Sequence, residues 1–560
     1  MGDSTKNTKQ DNTKNETSKQ ETFKLRDERI KKRDSLRDLF KINPYLLHNE
    51  KSANPGADEQ SQSAKDWKNF KDQRKLASRI KDDYENLASG EQSEKLEWAV
   101  GRIHSERNSG MFLDLYDESG KMQVVVERPD LENPDTYEVG EGEDKRHFLD
   151  LLDKGDFVAC QGYPYRTPRG ELSLKAKKLW ILSKAIQPPP EIIENKKRRL
   201  GLTDLEVRYR QRYLDLMVNH EVKETFRKRA QIIAGLRNFL NQKAFLEFET
   251  PILQTEAGGA AARPFVTHHN ALSMDLYLRI ATELHLKRLI VGGFEKVFEI
   301  GRIFRNEGIS TKHNPEFTSV EVYQAYADYL DLMKLTEDLV IYLAEKTIGQ
   351  TTINYQGQEL ELKPQNGWKK IKMADLVKEV TGKYFDLENC SLEEAQKMAA
   401  EIKVDVAKLK SVGEILNEVF EQKCEETLIQ PTFVTHYPRE NSPLAFCSAN
   451  SVENGKQEIN ANPKVLERFE LFIFGREIAN GFTELNDPEI QKRVFETQQK
   501  QRESGDLEAH PLDQDFIDAL EFGMPPTGGL GVGIDRLVML LTNSASIRDV
   551  ILFPTVKPIV

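Results

Sequence analysis

The sequence predicts an α+β protein, with a small five-stranded β-barrel leading into a larger domain that mixes helices and strands. Two patterns and a length point to it. Five short segments, WAVGRIHSER, MFLDLYDES, KMQVVVER, DFVACQGYPYR and ELSLKAKKLWILS, alternate or run apolar between turn residues such as Ser109-Gly110, Ser119-Gly120 and Arg169-Gly170. From Asp204 onward, helical and strand-like stretches alternate to the end. The 560 residues exceed what a single hydrophobic core accommodates, so two or more domains are expected.

Taken in order, the first 22 or so residues are rich in Lys, Asn, Thr, Gln and Glu and cannot bury enough apolar surface to offset chain entropy, so disorder is expected there. The following TFKLRDERIKKRDSLRDLFK sets Phe23, Leu25, Ile30, Leu36, Leu39 and Phe40 among charges and predicts a helix stopped by Asn43-Pro44. A solvated helix and an RNA-gripping arm both fit that text. Residues 1–65 are thus read as a flexible, helical N-terminal extension. A second helical stretch, AKDWKNFKDQRKLASRIKDDYENLASG, leads into the five strands, and a barrel of the oligonucleotide-binding kind suits their number and length. That domain is placed at 66–190, ending at the stiff Pro188-Pro189-Pro190. A linker at 191–205 with a basic run at 196–199 follows, then the large domain at 206–560, in which 329–430 reads as a mostly helical insertion.

The formal net charge of −11 does not mark a general nucleic-acid binder, so any RNA contact must rest on local charge. No run of about 18 apolar residues is present, so no transmembrane helix and no membrane association are expected. The polar start MGDSTKNTKQ lacks a secretory signal, and its likeness to a myristoylation start is slight, since Thr5 falls one position early. Acidic residues among the first forty argue against a mitochondrial transit peptide, so cytoplasmic residence is expected, with an additional mitochondrial form left open through alternative starts. Cys160, Cys390, Cys424 and Cys447 are scattered without zinc spacing and read as reduced thiols.

Three segments carry chemistry. In VFEIGRIFRNEGISTKHNPEFTSVEVYQAYADY, two alternating strands flank a polar loop, a hairpin. Arg305 and Glu307 are expected on one face of the first strand, and Glu321 and Tyr323 on one face of the second, giving a fixed cation, a fixed anion and an aromatic platform around one cavity. In PPTGGLGVGIDRLVMLL, Gly528, Gly529, Gly531 and Gly533 allow close backbone approach to a ligand before a helix opens near Asp535. Arg536 then falls in the first turn, where it can reach an anion or lie on an aromatic base. Close packing alone would equally use such glycines, and the segment matches neither GxxxxGK[ST] nor GxGxxG. The third, FLEFETPILQTEAGGAAARPF, is a strand ending at Pro251, either an ordinary core strand or one that packs on a second copy of itself.

Together, in this order, the three resemble the signature motifs of the class II aminoacyl-tRNA synthetases. The strand with Pro251 resembles motif 1, Phe304-Arg305-Asn306-Glu307 motif 2, and GGLGVGIDR motif 3. A barrel ahead of the catalytic domain is similar to the subgroup for lysine, aspartate and asparagine. RIATELHLKRLIVGGFEKVFEIGRIFRNEGIS, HNPEFTSVEVYQAYADY and GREIANGFTELNDP are very close to its lysine branch. The resemblance runs from about Leu96 to the C-terminus. It implies an antiparallel catalytic sheet flanked by helices, ATP as substrate, Mg²⁺ as cofactor, and partners that are L-lysine, tRNA-Lys and a second copy docked through motif 1.

It also implies residue roles. Arg305 would hold the carboxylate and α-phosphate, and Arg536 would cover the adenine opposite Phe317. Glu307 would meet the adenine amino group and His313 the triphosphate tail. Glu470 and Glu477, flanking LFIFGR, would hold Mg²⁺; standing alone, two glutamates seven apart are usually solvated surface. Glu283 is expected at the α-amino group, and Glu321 and Glu484 near the ε-ammonium. Tyr323, Asn480 and Phe482 would shape the pocket, under a loop containing Gly259. An acid-rich pocket suits lysine, whereas aspartate would need a cation there. On the barrel, Phe112 would stack an anticodon base, Gln123 would hydrogen-bond one, and Glu171 and Arg102 are further candidates; read without the family, each is an ordinary barrel residue. Three positions depart from the family's wording: Thr282 stands where proline is usual, His285 where tyrosine is, and Phe446 where a basic residue is common.

Overall fold

The computed structural model describes residues 23–40, 42–45, 70, 72–132, 138–139, 146–194, 196–447, 450–453, 456–459, 464–505 and 508–558. The reading of the first 22 residues as disordered falls outside them. Two compact units are formed, Met1–Asp204 with Tyr213–Asn219, and Leu205–Arg212 with His220–Val560.

The first unit is built on a closed barrel of β1 (Glu97–Arg107), β2 (Phe112–Tyr116), β3 (Lys121–Val125), β4 (Phe157–Arg166) and β5 (Leu172–Ser183), in the order β1-β2-β3-β5-β4. β3 and β5 pair in parallel and the remaining neighbours are antiparallel. Alternation does the sorting: Leu113, Leu115, Met122, Val124 and Leu174 fill the interior, so Phe112, Asp114, Gln123 and Ser173 lie on the other side of their strands, where Gln123 and Ser173 are nonetheless buried.

Residues 23–38 form helix α1, mostly solvated and docked along one side on the barrel. Leu36 is fully buried in the barrel's core cluster, with Phe40 and Ile42 packed beside it. Arg29 Nη1 donates to the carbonyls of Lys154 (2.9 Å) and Ala185 (3.0 Å), and Lys32 pairs with Asp153 at 2.8 Å. The second helical stretch is interrupted within the described residues: Phe70, Asp72 and Gln73 are helical, Arg74 bridges Trp98, and a helix resumes at Ala77–Asp83. The presumed linker carries a hairpin in which Glu191–Glu194 pairs antiparallel with Lys197–Leu200.

The second unit is organised by an eight-stranded sheet. Its strands are β6 (Leu246–Glu247), β7 (Lys296–Phe304), β8 (Glu316–Ala325), β9 (Lys369–Lys372), β10 (Thr432–Thr435), β11 (Arg468–Phe472), β12 (Glu477–Thr483) and β13 (Thr527–Gly533). They run in the order β6-β7-β8-β13-β12-β11-β10-β9. The central six are antiparallel, and a parallel pair closes each edge. The motif 1 strand is brief, two residues of β6 before the chain turns at Pro251.

One face of this sheet is apolar. Phe298, Val320, Val322, Leu530, Val532, Ala479, Phe469 and Leu471 bury against helices α2 (His220–Gln242) and α4 (Tyr329–Thr347) through Leu236, Leu240, Leu339 and Leu343. α4 starts at a capping box in which Asp328 accepts from the amides of Leu330 (2.8 Å) and Asp331 (3.1 Å). The stretch from 329 to 430 is mainly helical, with α4, Met373–Thr381, Leu392–Glu401 and Val412–Lys423, but it also holds the hairpin Thr352–Tyr355/Gln358–Glu361 and edge strand β9. Among the described residues no helix is long and apolar enough to cross a membrane.

Candidate active site

The opposite face of the sheet carries the polar residues, set in register. One row crosses four strands as Glu321, Gly531, Asn480 and Glu470; the next runs Tyr323, Gly529, Phe482 and Arg468. Because side chains repeat every two residues, both rows point the same way. Above them lies a cavity of ≈ 470 Å³. Every catalytic-domain residue to which the resemblance gave a substrate, nucleotide or metal role lines it: Gly259, Glu283, Arg305, Glu307, His313, Phe317, Glu321, Tyr323, Glu470, Glu477, Asn480, Phe482, Glu484 and Arg536.

Glycine explains the depth of this cavity. A Cβ on Gly529 would run into Glu484 Oε1 and approach Tyr323 Cε1 to 2.8 Å, whereas one on Gly531 would meet nothing nearer than Asn480 O at 3.8 Å. Gly529 therefore makes room for a protein carboxylate, and Gly531 leaves the middle of the row open. Gly259 has φ of 89° and lies against Ala281 and Glu283, where a Cβ would come to 3.0 Å of each, so its loop closes tightly over one end.

One expectation about motif 2 is corrected. Arg305 and Glu307 do not share a face of β7, because that strand ends at Phe304. The Arg305 amide still donates to Pro315 O (2.9 Å), but Pro315 has no N–H to return, and Asn306 N turns to Arg263 O instead (2.8 Å). Both side chains reach the cavity from the loop beyond the strand. Arg305 Nε is buried without a hydrogen-bond partner, and its guanidinium lies 5.3 Å from the Phe317 ring centre. A half-buried cation with one unsatisfied donor is a ready anion site.

The cavity has two electrostatic ends. At one, Glu470 accepts from Tyr437 Oη (2.9 Å) and pairs with Arg468, while Arg536 Nη1 donates to Glu477 Oε2 (3.0 Å) and Glu477 O (2.8 Å). Burial, with Glu477 nearby, pushes Glu470 up to about 7 despite Arg468. Glu477 is held below its usual range because Arg536 and Arg468 outweigh its burial. His313 Nδ1 meets Ser310 Oγ at 3.0 Å, and burial plus Arg536 lowers its pKa. Arg536 is the third residue of α5 (Ile534–Leu541), which opens directly after β13.

At the other end three glutamates converge. Glu283 is the first residue of helix α3 (Glu283–Val291), Glu321 lies on β8, and Glu484 follows β12. Glu321 accepts from the Thr282 amide (3.0 Å) and Tyr323 Oη (3.1 Å), yet burial, with Glu283 nearby, still raises it to about 7. Glu484 is 1% exposed; Lys287 pairs with its Oε2, and Oε1 is left without a hydrogen-bond partner. Such unsatisfied carboxylate is rare in a protein interior and marks a place for cationic ligand groups.

Three participants were not singled out in the sequence. Lys287 sits between Glu283 and Glu484, Arg468 pairs with Glu470, and the buried His510 lines the cavity with Nδ1 unpartnered. Two of them had a signal: Lys287 is one helical turn from Glu283, and Arg468 is two strand residues from Glu470. Of the departures, Thr282 supplies an N–H that proline lacks, His285 Nδ1 lies 3.5 Å from Gln254 Nε2, and the Phe446 amide bonds Thr483 O at 2.8 Å.

On the barrel, Phe112 and Gln123 occupy the outer face of β2 and β3. Gln123 Oε1 accepts from Ser173 Oγ (2.9 Å), and Glu171, just ahead of β5, pairs with Lys121 at 2.9 Å. Arg102 is already engaged, donating to Gly155 O (2.9 Å) with its guanidinium 4.1 Å from the Phe157 ring centre.

An antiparallel sheet with a motif 2 hairpin, a glycine-rich motif 3 strand and an arginine opening the next helix defines a class II aminoacyl-tRNA synthetase. Sequence comparison agrees: residues 204–557 match the family described as tRNA synthetases class II (D, K and N), and 98–182 match the OB-fold nucleic acid binding domain. The chain is 52% identical over 486 residues to a lysine–tRNA ligase of Nostoc punctiforme, covering 86% of this chain and 82% of that one. It is 52% identical to one from Synechococcus (84% and 89% covered) and 50% identical to one from Lysinibacillus sphaericus (86% and 92%). The chain belongs to the lysine–tRNA ligase family.

Proposed function

We propose that this cavity holds L-lysine and ATP side by side, forms lysyl-adenylate and pyrophosphate, and passes the lysyl group to the 3′ end of tRNA-Lys. The observation that carries the reading is the convergence of Glu283, Glu321 and Glu484 in one pocket, in a cavity that Arg305, Glu470 and Glu477 also line. An amino acid with two ammonium groups and one carboxylate matches that layout, and a dicarboxylic one does not.

In the first step a lysine carboxylate oxygen bonds the α-phosphorus while the bond to the departing pyrophosphate breaks. Both reactants are anions, so bringing them together is the main barrier. Arg305, with its unsatisfied Nε, is the group to bridge carboxylate and α-phosphate and to stabilise the charge that builds between them. Arg536, His313 and Glu307 are assigned to the nucleotide, with adenine between Phe317 and Arg536 once ATP has entered. In the second step a hydroxyl of the tRNA terminus attacks the lysyl carbonyl and AMP leaves. No covalent enzyme intermediate is required.

The donor set also fits Mg²⁺. Glu470 and Glu477 are hard oxygen donors in the same cavity, and no cluster of three His, Cys, Asp or Glu able to hold a metal occurs among the described residues. That suits an ion which takes one or two carboxylates and fills its octahedron with phosphate and water. Burial and then Glu421, Glu470 and Glu477 raise Glu425 to about 7, so negative charge is in surplus here. When bound, Mg²⁺ would neutralise the β- and γ-phosphates. Glu470 and Glu477 are assigned to hold it.

Phe112 and Gln123 on the barrel's outer face are assigned to anticodon bases, with Glu171 beside them. Arg102, already engaged within the barrel, is assigned at most a supporting part. A homodimer is proposed through the motif 1 region. There the small sheet of Leu253–Gln254, Val266–His269 and Met274–Leu278 exposes Leu253 (48%), Val266 (60%) and the nearby Leu272 (64%). Residence in the cytoplasm, where ATP and uncharged tRNA meet, completes the reading. Lysine-dependent ATP–pyrophosphate exchange tests it, and E484Q should raise the lysine KM while sparing the KM for ATP.

A further inference from the structure

Lys287 belongs to no signature motif, yet it is the most enclosed charge in the site. It is 0% exposed, and its Nζ lies 2.5 Å from Glu283 Oε1 and in contact with Glu484 Oε2. The rings of Phe482 and Phe516 flank it at 5.7 and 5.9 Å. Burying an ammonium in such a place is costly unless it is paired, and it is paired to two carboxylates already assigned to the substrate.

We propose that Lys287 is a positioning and specificity residue, a built-in cation that sets the pocket's charge to match a diamino acid. The inference rests on assigning the lysine pocket to Glu283, Glu321 and Glu484. Once bound ammonium groups keep all three carboxylates ionised, these less one ammonium leave two negative charges, the number of ammonium groups on lysine. Arg305 then balances the substrate carboxylate, and the occupied site is neutral. Lys287 also ties Glu283 and Glu484 together through one oxygen of each, Oε1 and Oε2, which leaves the second oxygen of each for the incoming ligand.

Other charges facing this group do not replace it. Arg288 on the same helix is turned to Asp513 (3.1 Å) and Asp515 (3.0 Å). Arg468 is committed to Glu470, Asn480 and Ser442. Tyr323 on β8 donates to Glu321, and His510, ahead of the helix Gln514–Glu521, is driven down to about 4 by burial and by Lys287, so it is neutral. Burial disfavours the Lys287 ammonium, but Glu283 and Glu484 outweigh it and the group stays charged. Without it, Glu283 and Glu484 would lose their nearest cation, and protonation at neutral pH would weaken their hold on an ammonium.

The test is lysine-dependent ATP–pyrophosphate exchange by the full-length enzyme and its K287M, K287R and E484Q variants across pH. K287M should raise the lysine KM by about tenfold or more at neutral pH with the KM for ATP unchanged, because a neutral carboxylic acid binds ammonium poorly. That deficit should shrink as pH rises and the carboxylates ionise again, and K287R should restore most of the lysine affinity. A lysine KM within about twofold of wild type, a deficit independent of pH, or a K287R as impaired as K287M would overturn the proposal. If K287M does not fold, K287Q takes its place with the same outcomes. The two layers separate cleanly: an unimpaired E484Q refutes the pocket assignment, whereas an impaired E484Q beside an unimpaired Lys287 variant refutes only the role of Lys287.

Discussion

At the scale of single residues, the work is proposed to divide between Arg305, at the anionic part of the substrate, and Glu321, at its cationic part. Arg305→Ala should lower adenylate formation by about 10²–10³-fold, the usual loss when a preorganised donor to developing charge is removed. Folding should be intact by circular dichroism, since Arg305 lies in a loop beyond β7. Glu321 gives a pH dependence with a definite sign. Burial raises it to about 7, so below that value it is protonated and cannot attract an ammonium. The kcat/KM for lysine should therefore rise between about pH 6 and pH 8, while the substrate's own ε-ammonium stays charged. Thr282→Pro, removing the amide that bonds Glu321, should move that rise to higher pH. A flat profile through neutrality would show that Glu321 does not meet the ammonium.

At the scale of elements, strand register does the assembling. Glu321, Gly531, Asn480 and Glu470 come from four strands, of which only those of Glu470 and Asn480 are neighbours in sequence, and ladder pairing aligns them. Gly529→Ala, placing a methyl against Glu484 and Tyr323, should raise the lysine KM about tenfold or more while leaving the KM for ATP close to wild type. The same view shows what was legible in the sequence. Alternation in SVEVYQAY placed Glu321 and Tyr323 on one face, and GGLGVGIDR placed Arg536 in the first turn of a helix, both as observed. The end of β7 was not legible, because it depends on Pro315 across the hairpin failing to return a hydrogen bond to Arg305. Nor was the docking of α1, since a helix of mixed charge and scattered apolar residues does not announce which surface will cover Leu36. Leu36→Ala should cost about 2–5 kcal/mol of barrel stability, read by denaturant unfolding of the full chain, because the cavity opens in a packed core.

At the scale of the whole molecule, the chain joins a barrel matched to the OB-fold nucleic acid binding domain, which carries Phe112 and Gln123, to a sheet matched to the class II synthetases, whose polar face is proposed to hold the reaction. The exposed apolar sheet near motif 1 predicts a dimer in sedimentation, and Val266→Glu should shift it towards monomer with a parallel loss of activity. The central claim is that one cavity reads two ammonium groups and activates the carboxylate between them. Its most direct measurement is ATP–pyrophosphate exchange with the purified chain and each amino acid in turn. Exchange with lysine, and none above background with aspartate or asparagine, is the predicted result; exchange driven by aspartate or asparagine, or by no amino acid at all, would contradict it.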